Sequence, residues 1–316
     1  MGHNQNHNPN QNKAIQRVLE QSGNPDLLEI WNKELSVSDI NTFLLELFRL
    51  QTKEASYADL LRKYVENRFV HPAKVDPIAL KQLEIAVLQI AQSAAYQPIL
   101  LSPIAPLGSC SIVATADQNK IISALRGTEV VADATNLLAL YICDLLKSNK
   151  TTNDLDFVRF STTHRHVRTQ PLNKPGLLPH FHVFCLVASG KDQGSYLFEK
   201  AVLQEHIALY QMIFKAVFHA DIDVQLSRRG GYPDGTGFFE RILDDLEKRF
   251  PDISITENFS KTDNLYYKGL QFTIVVHING QELYIGDGGF VDWPQKLLGN
   301  RKQRMMISAI GLDRLL

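Results

Sequence analysis

Four histidines stand in two pairs, His164 with His166 and His180 with His182, each two residues apart. On a strand that spacing puts both members of a pair on one face. Four imidazoles on adjoining strands could ligate a transition metal, line a pocket as hydrogen-bonding groups, or lie on the sheet surface, and no metal site is assigned. Glu129 and Asp133, in the stretch RGTEVVADAT, are the acids best suited to receive a ligand ammonium. Gly286, Gly288 and Gly289 would let backbone approach a ligand closely, although a bulge or turn accounts for them nearly as well. By residue type alone, Arg165 is a surface strand residue and Arg314 a solvated residue at a helix start. Glu199 and Glu205 read as a solvated helix face. His3 and His7 sit in an Asn/Gln-rich tail without the preorganisation a metal needs.

These side chains need a scaffold, and the texture of the chain changes along its length. Residues 1–12 read as a disordered polar tail. Residues 13–96 are helical in pattern. Ile40, Phe43, Leu44, Leu47 and Phe48 share a face behind Ser38 as cap, and Tyr57, Leu60, Leu61, Tyr64 and Val65 repeat the spacing. Asp76-Pro77 opens a third helix through Leu83, Val87, Leu88 and Ala91. This region shows no chemistry and reads as an appendage packing on the rest or on a second subunit.

From residue 97 strands mix with helices. Glu129–Leu146 is a loop entering a helix, and Phe157–Phe160 and His182–Ala188 are strands joined by a loop from Pro171 to Pro179. Glu199–Phe218 and Phe238–Phe250 are helices, with a strand at Asp223–Ser227 between them. Leu270, Phe272, Ile274, Val276 and Ile278 alternate into Asn279-Gly280, a hairpin turn, and Leu283 and Ile285 return. Hairpin-linked strands beside helices predict an antiparallel sheet in an α+β domain.

Hydrophobic residues make up 44% and charged residues 21% of the 316, as in ordinary globular proteins. A formal net charge of −1 argues against a broad electrostatic grip on nucleic acid. Cys110, Cys143 and Cys185 are odd in number and widely spaced, so they read as buried thiols of a reducing compartment. No run approaches a membrane span, and the N-terminus is no signal peptide, so the expected location is cytoplasmic.

Four segments, in order, resemble the class II aminoacyl-tRNA synthetase catalytic domain, and within it the histidyl-tRNA synthetases and their regulatory paralogue. They are Leu125-Arg126 with Asp133-Ala134-Thr135; His164 to Gln170 with His180-Phe181-His182 (motif 2); Lys268 to Phe272 with Gly288 to Asp292; and Ala309 to Leu316 (motif 3). The resemblance covers about residues 101–316. It implies a class II synthetase-like antiparallel sheet flanked by helices, ATP with Mg2+, a small-molecule ligand and a homodimer. It also implies roles. Arg165 would hold the α-phosphate, Arg314 the γ-phosphate and Lys268 the place of a catalytic arginine, with Arg168 in the same ATP-facing segment. Glu129, Asp133, Thr135, Gln271, Gly288 and Gly289 would meet the substrate. Charge building on a phosphate in the transition state is what a fixed, planar guanidinium neutralises best.

The departures narrow the function. Val167 stands where an acid would read adenine, and valine accepts no hydrogen bond. Val183 and Val187 stand where polar groups would hold an imidazole, and an unpaired imidazole in an apolar slot is costly. Lys268 keeps a charge but loses the bidentate fork, and Phe272 and Thr273 replace tyrosines. The sequence ends two residues after Arg314, and no anticodon-binding domain is expected. The expectation is therefore a paralogue that activates a small carboxylic or amino acid with ATP, not one that charges tRNA with histidine. The alternative is a non-catalytic ligand-binding or regulatory subunit with a partner enzyme. A third reading, RNA binding, has the near-neutral charge against it.

Overall fold

The computed structural model describes residues 12–148, 157–170, 178–259, 266–278 and 280–316. The expected disordered tail, except Asn12, lies outside the described residues, as do residues 171–177 of the Pro171–Pro179 loop and Asn279 of the hairpin turn.

Four helices come first: α1 (Lys13–Ser22), α2 (Leu27–Lys33), α3 (Val37–Lys53) and α4 (Tyr57–Glu66). Their ends are chemically marked. Asn12 caps α1 through its side-chain oxygen, and Ser56 with Asp59 forms a reciprocal capping box on α4. The cap of α3 is Ser36, whose side chain accepts from the Asp39 amide; Ser38, the expected cap, already lies inside the helix. None of the four helices has a buried residue. Their apolar stripes are real but stay open, with Phe43, Phe48, Leu60 and Leu61 all exposed.

Helix α5 (Pro77–Ser93) differs. Asp76 caps it, Pro77 occupies its first turn, and Leu80, Leu83, Val87 and Ala91 are buried. They share a core with Phe184, Leu203 and Phe272, so this helix packs as part of the sheet unit.

The other elements are β1 (Gln97–Pro98), β2 (Ile104–Pro106), β3 (Ser123–Ala124), β4 (Thr128–Val130), α6 (Ala134–Lys147), β5 (Phe157–Val167), β6 (His180–Lys191), α7 (Leu197–Ile213), β7 (Ile222–Arg228), α8 (Gly235–Arg249), β8 (Ile255–Glu257), β9 (Lys268–Ile278), β10 (Gln281–Val291), α9 (Trp293–Leu298) and β11 (Gln303–Gly311). Eight strands form one sheet in the order β1-β5-β6-β11-β10-β9-β7-β8. Its interior pairings are antiparallel as expected, but the edge pairs β1–β5 and β7–β8 are parallel. A small sheet, β2-β4-β3, stands apart. The hairpin expected at 279–280 joins β9 to β10, with Gly280 at φ +73° supplying the left-handed turn.

Period-two alternation sorts the strands onto two covered faces. Phe184, Leu186, Met306, Phe272 and Leu226 point to α5, α7 and α8. Val187, Met305, Ile307 and Phe160 point the other way, with Leu138 and Ile142 of α6. The strands run longer than their apolar patterns: β5 extends to Val167 and β6 starts at His180, so both histidine pairs lie on paired strands. The helix expected through Phe218 is α-helical only to Ile213 and ends in a π-helical turn, Phe214–Phe218.

Candidate functional site

The best-built polar array lies where the N-terminus of α6 meets β9 and β10. Asp133 is the N-cap of α6: its Oδ1 accepts from the Thr135 amide at 3.0 Å and from the Thr135 hydroxyl at 2.7 Å. Its Oδ2 accepts from the Tyr266 hydroxyl at 2.6 Å. The neighbouring Tyr267 hydroxyl donates to Asp287 Oδ1 at 2.7 Å. Gln271 Nε2 reaches Asp287 Oδ2 at 3.4 Å, and Arg229 donates to Gln271 Oε1 from Nε at 3.1 Å and Nη2 at 2.7 Å. Two carboxylates thus stand in one basin, each fixed by a tyrosine, with an arginine braced through an amide.

Local sequence explains this placement. Gly269 takes φ +69° at the start of β9, a conformation a side chain would strain, and the ladder shifts register opposite it. The Tyr266 and Tyr267 rings meet edge to face at 4.8 Å, and Tyr266 meets Trp293 at 5.3 Å. A Cβ on Gly289 would lie 2.7 Å from the Tyr267 ring, so this glycine makes room for the tyrosine. A Cβ on Gly288 would run into Ser308 and Phe272 on the opposite face. The two glycines expected to meet substrate are taken up by packing.

The electrostatics are those of a crowded acidic basin. Burial pushes the Asp287 carboxyl above its usual range, the Tyr267 hydrogen bond opposes this, the charge of Asp133 adds to it, and Arg168 and Arg229 pull it back. Water nevertheless reaches Asp287, which is exposed. Burial, reinforced by the adjacent carboxylates, holds Tyr266 and Tyr267 well above the usual phenol range, so both hydroxyls are donors. Burial also lowers the Arg229 guanidinium, against the pull of Asp287.

The two arginines expected to meet phosphate lie elsewhere. Arg165 is exposed at the end of β5 and pairs in register with His182, which alternation places on the face opposite Asp287. Its Nε donates to His182 Nε2 at 3.2 Å, and Asp313 accepts from the His182 amide at 2.7 Å and lies 3.3 Å from its Nδ1. Arg314 is exposed on a three-residue 3-10 turn, Asp313–Leu315, where a helix start was expected, and donates to the Tyr284 carbonyl at 2.6 Å. Arg168 is the motif 2 arginine that acts on the basin. It donates to the Ala132 carbonyl at 3.0 Å, lies over Phe181, and counts among the charges felt by Asp287. Lys268 lies 3.8 Å from Asp292.

Glu129 is not in the basin. It is buried and accepts from the Gly108 and Cys110 amides and from Gln118, each at 2.9 Å, which makes it an anchor for the 108–118 segment. The histidines are also committed to protein partners: His164 to the Ser102 carbonyl, His166 as acceptor from the Ala134 amide, His180 to the His71 carbonyl. No group of three or more potential ligands that could hold a metal occurs among the described residues. Val183 and Val187 lie in buried apolar clusters beneath α6. Burial pushes the Cys110 thiol up to about 12 and Cys143 up to about 11, so these thiols are unreactive.

Asp133, Thr135 and Gln271 were singled out in the sequence and do come together. Tyr266, Tyr267, Asp287 and Arg229 were not. Asp287 carried one visible signal, an acid set between glycines on an otherwise apolar return strand.

No family model matches the sequence, and neither does any curated protein. Solved structures do match the fold. A histidyl-tRNA synthetase of S. aureus superposes with a TM-score of 0.57 at 13% identity, over 77% of this chain and 67% of that one. An ATP phosphoribosyltransferase regulatory subunit/histidyl-tRNA synthetase of Bacillus halodurans gives 0.60 at 12% identity, over 79% and 82%. A histidine–tRNA ligase subunit of Alicyclobacillus acidocaldarius gives 0.55 at 12% identity, over 79% and 95%. The fold is the α+β fold of class II synthetases, with an N-terminal helical region.

Proposed function

We propose that this chain is a synthetase-like paralogue that binds a small amine-bearing acid in the basin of Asp133 and Asp287 and activates its carboxyl group with ATP. The observation that carries the reading is the array itself. Asp133, Thr135, Asp287 and Gln271 are held by Tyr266, Tyr267 and Arg229 before any ligand arrives. Preorganised carboxylates accept an ammonium without reorganisation, and their mutual repulsion is relieved when a cation enters. Arg168, beside the basin, faces the carboxyl end of such a ligand. Arg168 is also the arginine that supports contact with the nucleotide's phosphates, whereas Arg165, on the opposite sheet face, and Arg314, bound to the Tyr284 carbonyl, do not. The carboxylate oxygen attacks the α-phosphorus, the bond to the bridging oxygen breaks, and pyrophosphate leaves.

Adenine has no acceptor at Val167, so the nucleotide is held chiefly by its phosphates. The described residues offer no protein-only metal cage, so Mg2+ enters with the triphosphate, as its reluctance to shed water favours. Histidine is a poor ligand because Val183 and Val187 are packed into the core.

The second reading is a regulatory or ligand-binding subunit. It is favoured by the partners already held by Arg314 and Lys268, and by the structural likeness to a protein named as a regulatory subunit. Pyrophosphate exchange over a panel of amino and carboxylic acids separates the two. Exchange with at least one amine-bearing acid is expected. Saturable binding of such an acid with no exchange at any ATP concentration would leave the regulatory reading.

A further inference from the structure

Asp133 and Asp287 are held by the same kind of group. Asp133 accepts from the Thr135 amide, the Thr135 hydroxyl and the Tyr266 hydroxyl. Asp287 accepts from the Tyr267 hydroxyl at 2.7 Å and, at 3.4 Å, from the Gln271 amino group. All of these donors are neutral. A neutral donor orients a carboxylate without cancelling its charge, whereas a lysine or arginine does both. Neither acid forms an ion pair among the described residues; Lys268 and Lys296 turn to Asp292 instead.

The guanidiniums felt by Asp287 stop one group short of it. Arg229 places Nε and Nη2 on Gln271 Oε1, which turns the amino group of that amide toward Asp287. Arg168 donates to the Ala132 carbonyl. The two acids differ in what they still offer. A carboxylate has about four acceptor sites. The half-buried Asp133 has three donors, while the exposed Asp287 has one close donor and one distant one.

The order of groups along a ligand follows from this layout. An α-amino acid carries its carboxylate and its ammonium on one carbon. Arg168 is bonded to the residue preceding Asp133, so this end of the basin matches that pair. Asp287, on β10, is left for the far end of the ligand. Its charge is not cancelled by an ion pair, so the group that suits it is a second cation.

We propose that the ligand of the basin is a diamino acid, with its α-ammonium at Asp133 and its side-chain ammonium at Asp287, the acid that sets specificity. This rests on the reading above that Asp133 and Arg168 receive an amino acid. Asp133 and Asp287 repel each other, which helps to raise the Asp287 carboxyl. A diamino acid relieves that repulsion at both ends, and a ligand with one ammonium at one end only.

Titration calorimetry of the full chain near neutral pH, where a side-chain amine is protonated, tests this. Diamino acids of increasing length, from 2,3-diaminopropionate to lysine, would be compared with methyl-ended counterparts, from 2-aminobutyrate to 2-aminoheptanoate. At one chain length the diamino acid is expected to bind about tenfold or more tighter than its counterpart. D287N should narrow that preference to less than about threefold, and D133N should weaken both series. Thermal melts check that each variant is folded, and the wild-type preference is read without any variant. Equal affinity of wild type for the two series, or a preference undiminished in folded D287N, would overturn the proposal. In either case binding that depends on Asp133 would leave the broader reading standing. Failure of every amino acid to bind would remove both.

Discussion

Asp287 is the residue whose surroundings most constrain what the basin does. Its carboxyl is raised by burial and by Asp133, so its ionised form is disfavoured in the folded protein. A group whose folded pKa lies above its unfolded value contributes stability when protonated and loses that contribution as pH rises. Removing the charge with D287N should therefore raise the melting temperature at pH 7–8, by on the order of 1–3 °C given the group's exposure. The gain should vanish at pH 3–4, where the wild-type carboxyl is protonated too. A gain that stayed constant with pH would show that Asp287 does not carry the strain. Glu129 makes the opposite case, since it satisfies three donors and no ligand. E129A leaves two buried amides and an amide side chain unpaired and should cost about 2–4 kcal/mol in urea unfolding, without altering ligand affinity beyond the loss of folded protein. Sequence alone ranked the two acids of RGTEVVADAT together. Only the small sheet β2-β4-β3, three strands of two or three residues each, turns one inward to backbone and the other toward the tyrosines.

The elements divide into those that share the core and those that do not. Leu83 of α5 is buried in the main core, whereas Leu60 of α4 is 63% exposed. L83A should cost about 2–5 kcal/mol, and L60A should stay within about 0.5 kcal/mol. A large cost for L60A would show α4 packed in solution as it is not in this structure. Periodicity found all these helices, because amphipathic spacing is a local property. It could not tell which apolar stripe meets a partner, since burial depends on what the rest of the chain places opposite. The β9–β10 hairpin was fully legible from alternation and Asn279-Gly280. The extension of β5 through His164, Arg165 and His166 was not, because polar residues on a strand break the apolar pattern while the ladder bonds continue. The parallel edges β1–β5 and β7–β8 were also hidden, two- and three-residue pairings being too short to pattern. The site was legible in proportion to its motif content. Asp133 and Thr135 stood in a recognisable segment, while Tyr266, Tyr267 and Arg229 reach the basin only because β9 starts with a bulge.

At the scale of the molecule, the fold of a class II synthetase is kept while several of its expected contacts are changed. The apolar slot at Val183 and Val187 is filled by core packing, and one arginine of motif 2 faces the basin while the other faces a histidine and an aspartate. With a net charge of −1 and no helix among the described residues long and apolar enough to cross a membrane, the features that recommend a partner are the basin and the exposed apolar stripes of α3 and α4. Those stripes support pairing with a second copy, which light scattering across a dilution series would reveal as a mass near twice 35.7 kDa. What the basin binds decides the function. That is tested most directly by titration calorimetry of the wild type and D133N with a panel of amino acids, simple amines and carboxylic acids lacking nitrogen. Saturable binding of at least one amine-bearing acid is expected, with no binding of its nitrogen-free counterpart and a loss of about tenfold or more in D133N. Binding of the nitrogen-free acid as tightly as the amine-bearing one, or undiminished affinity in D133N, would contradict it.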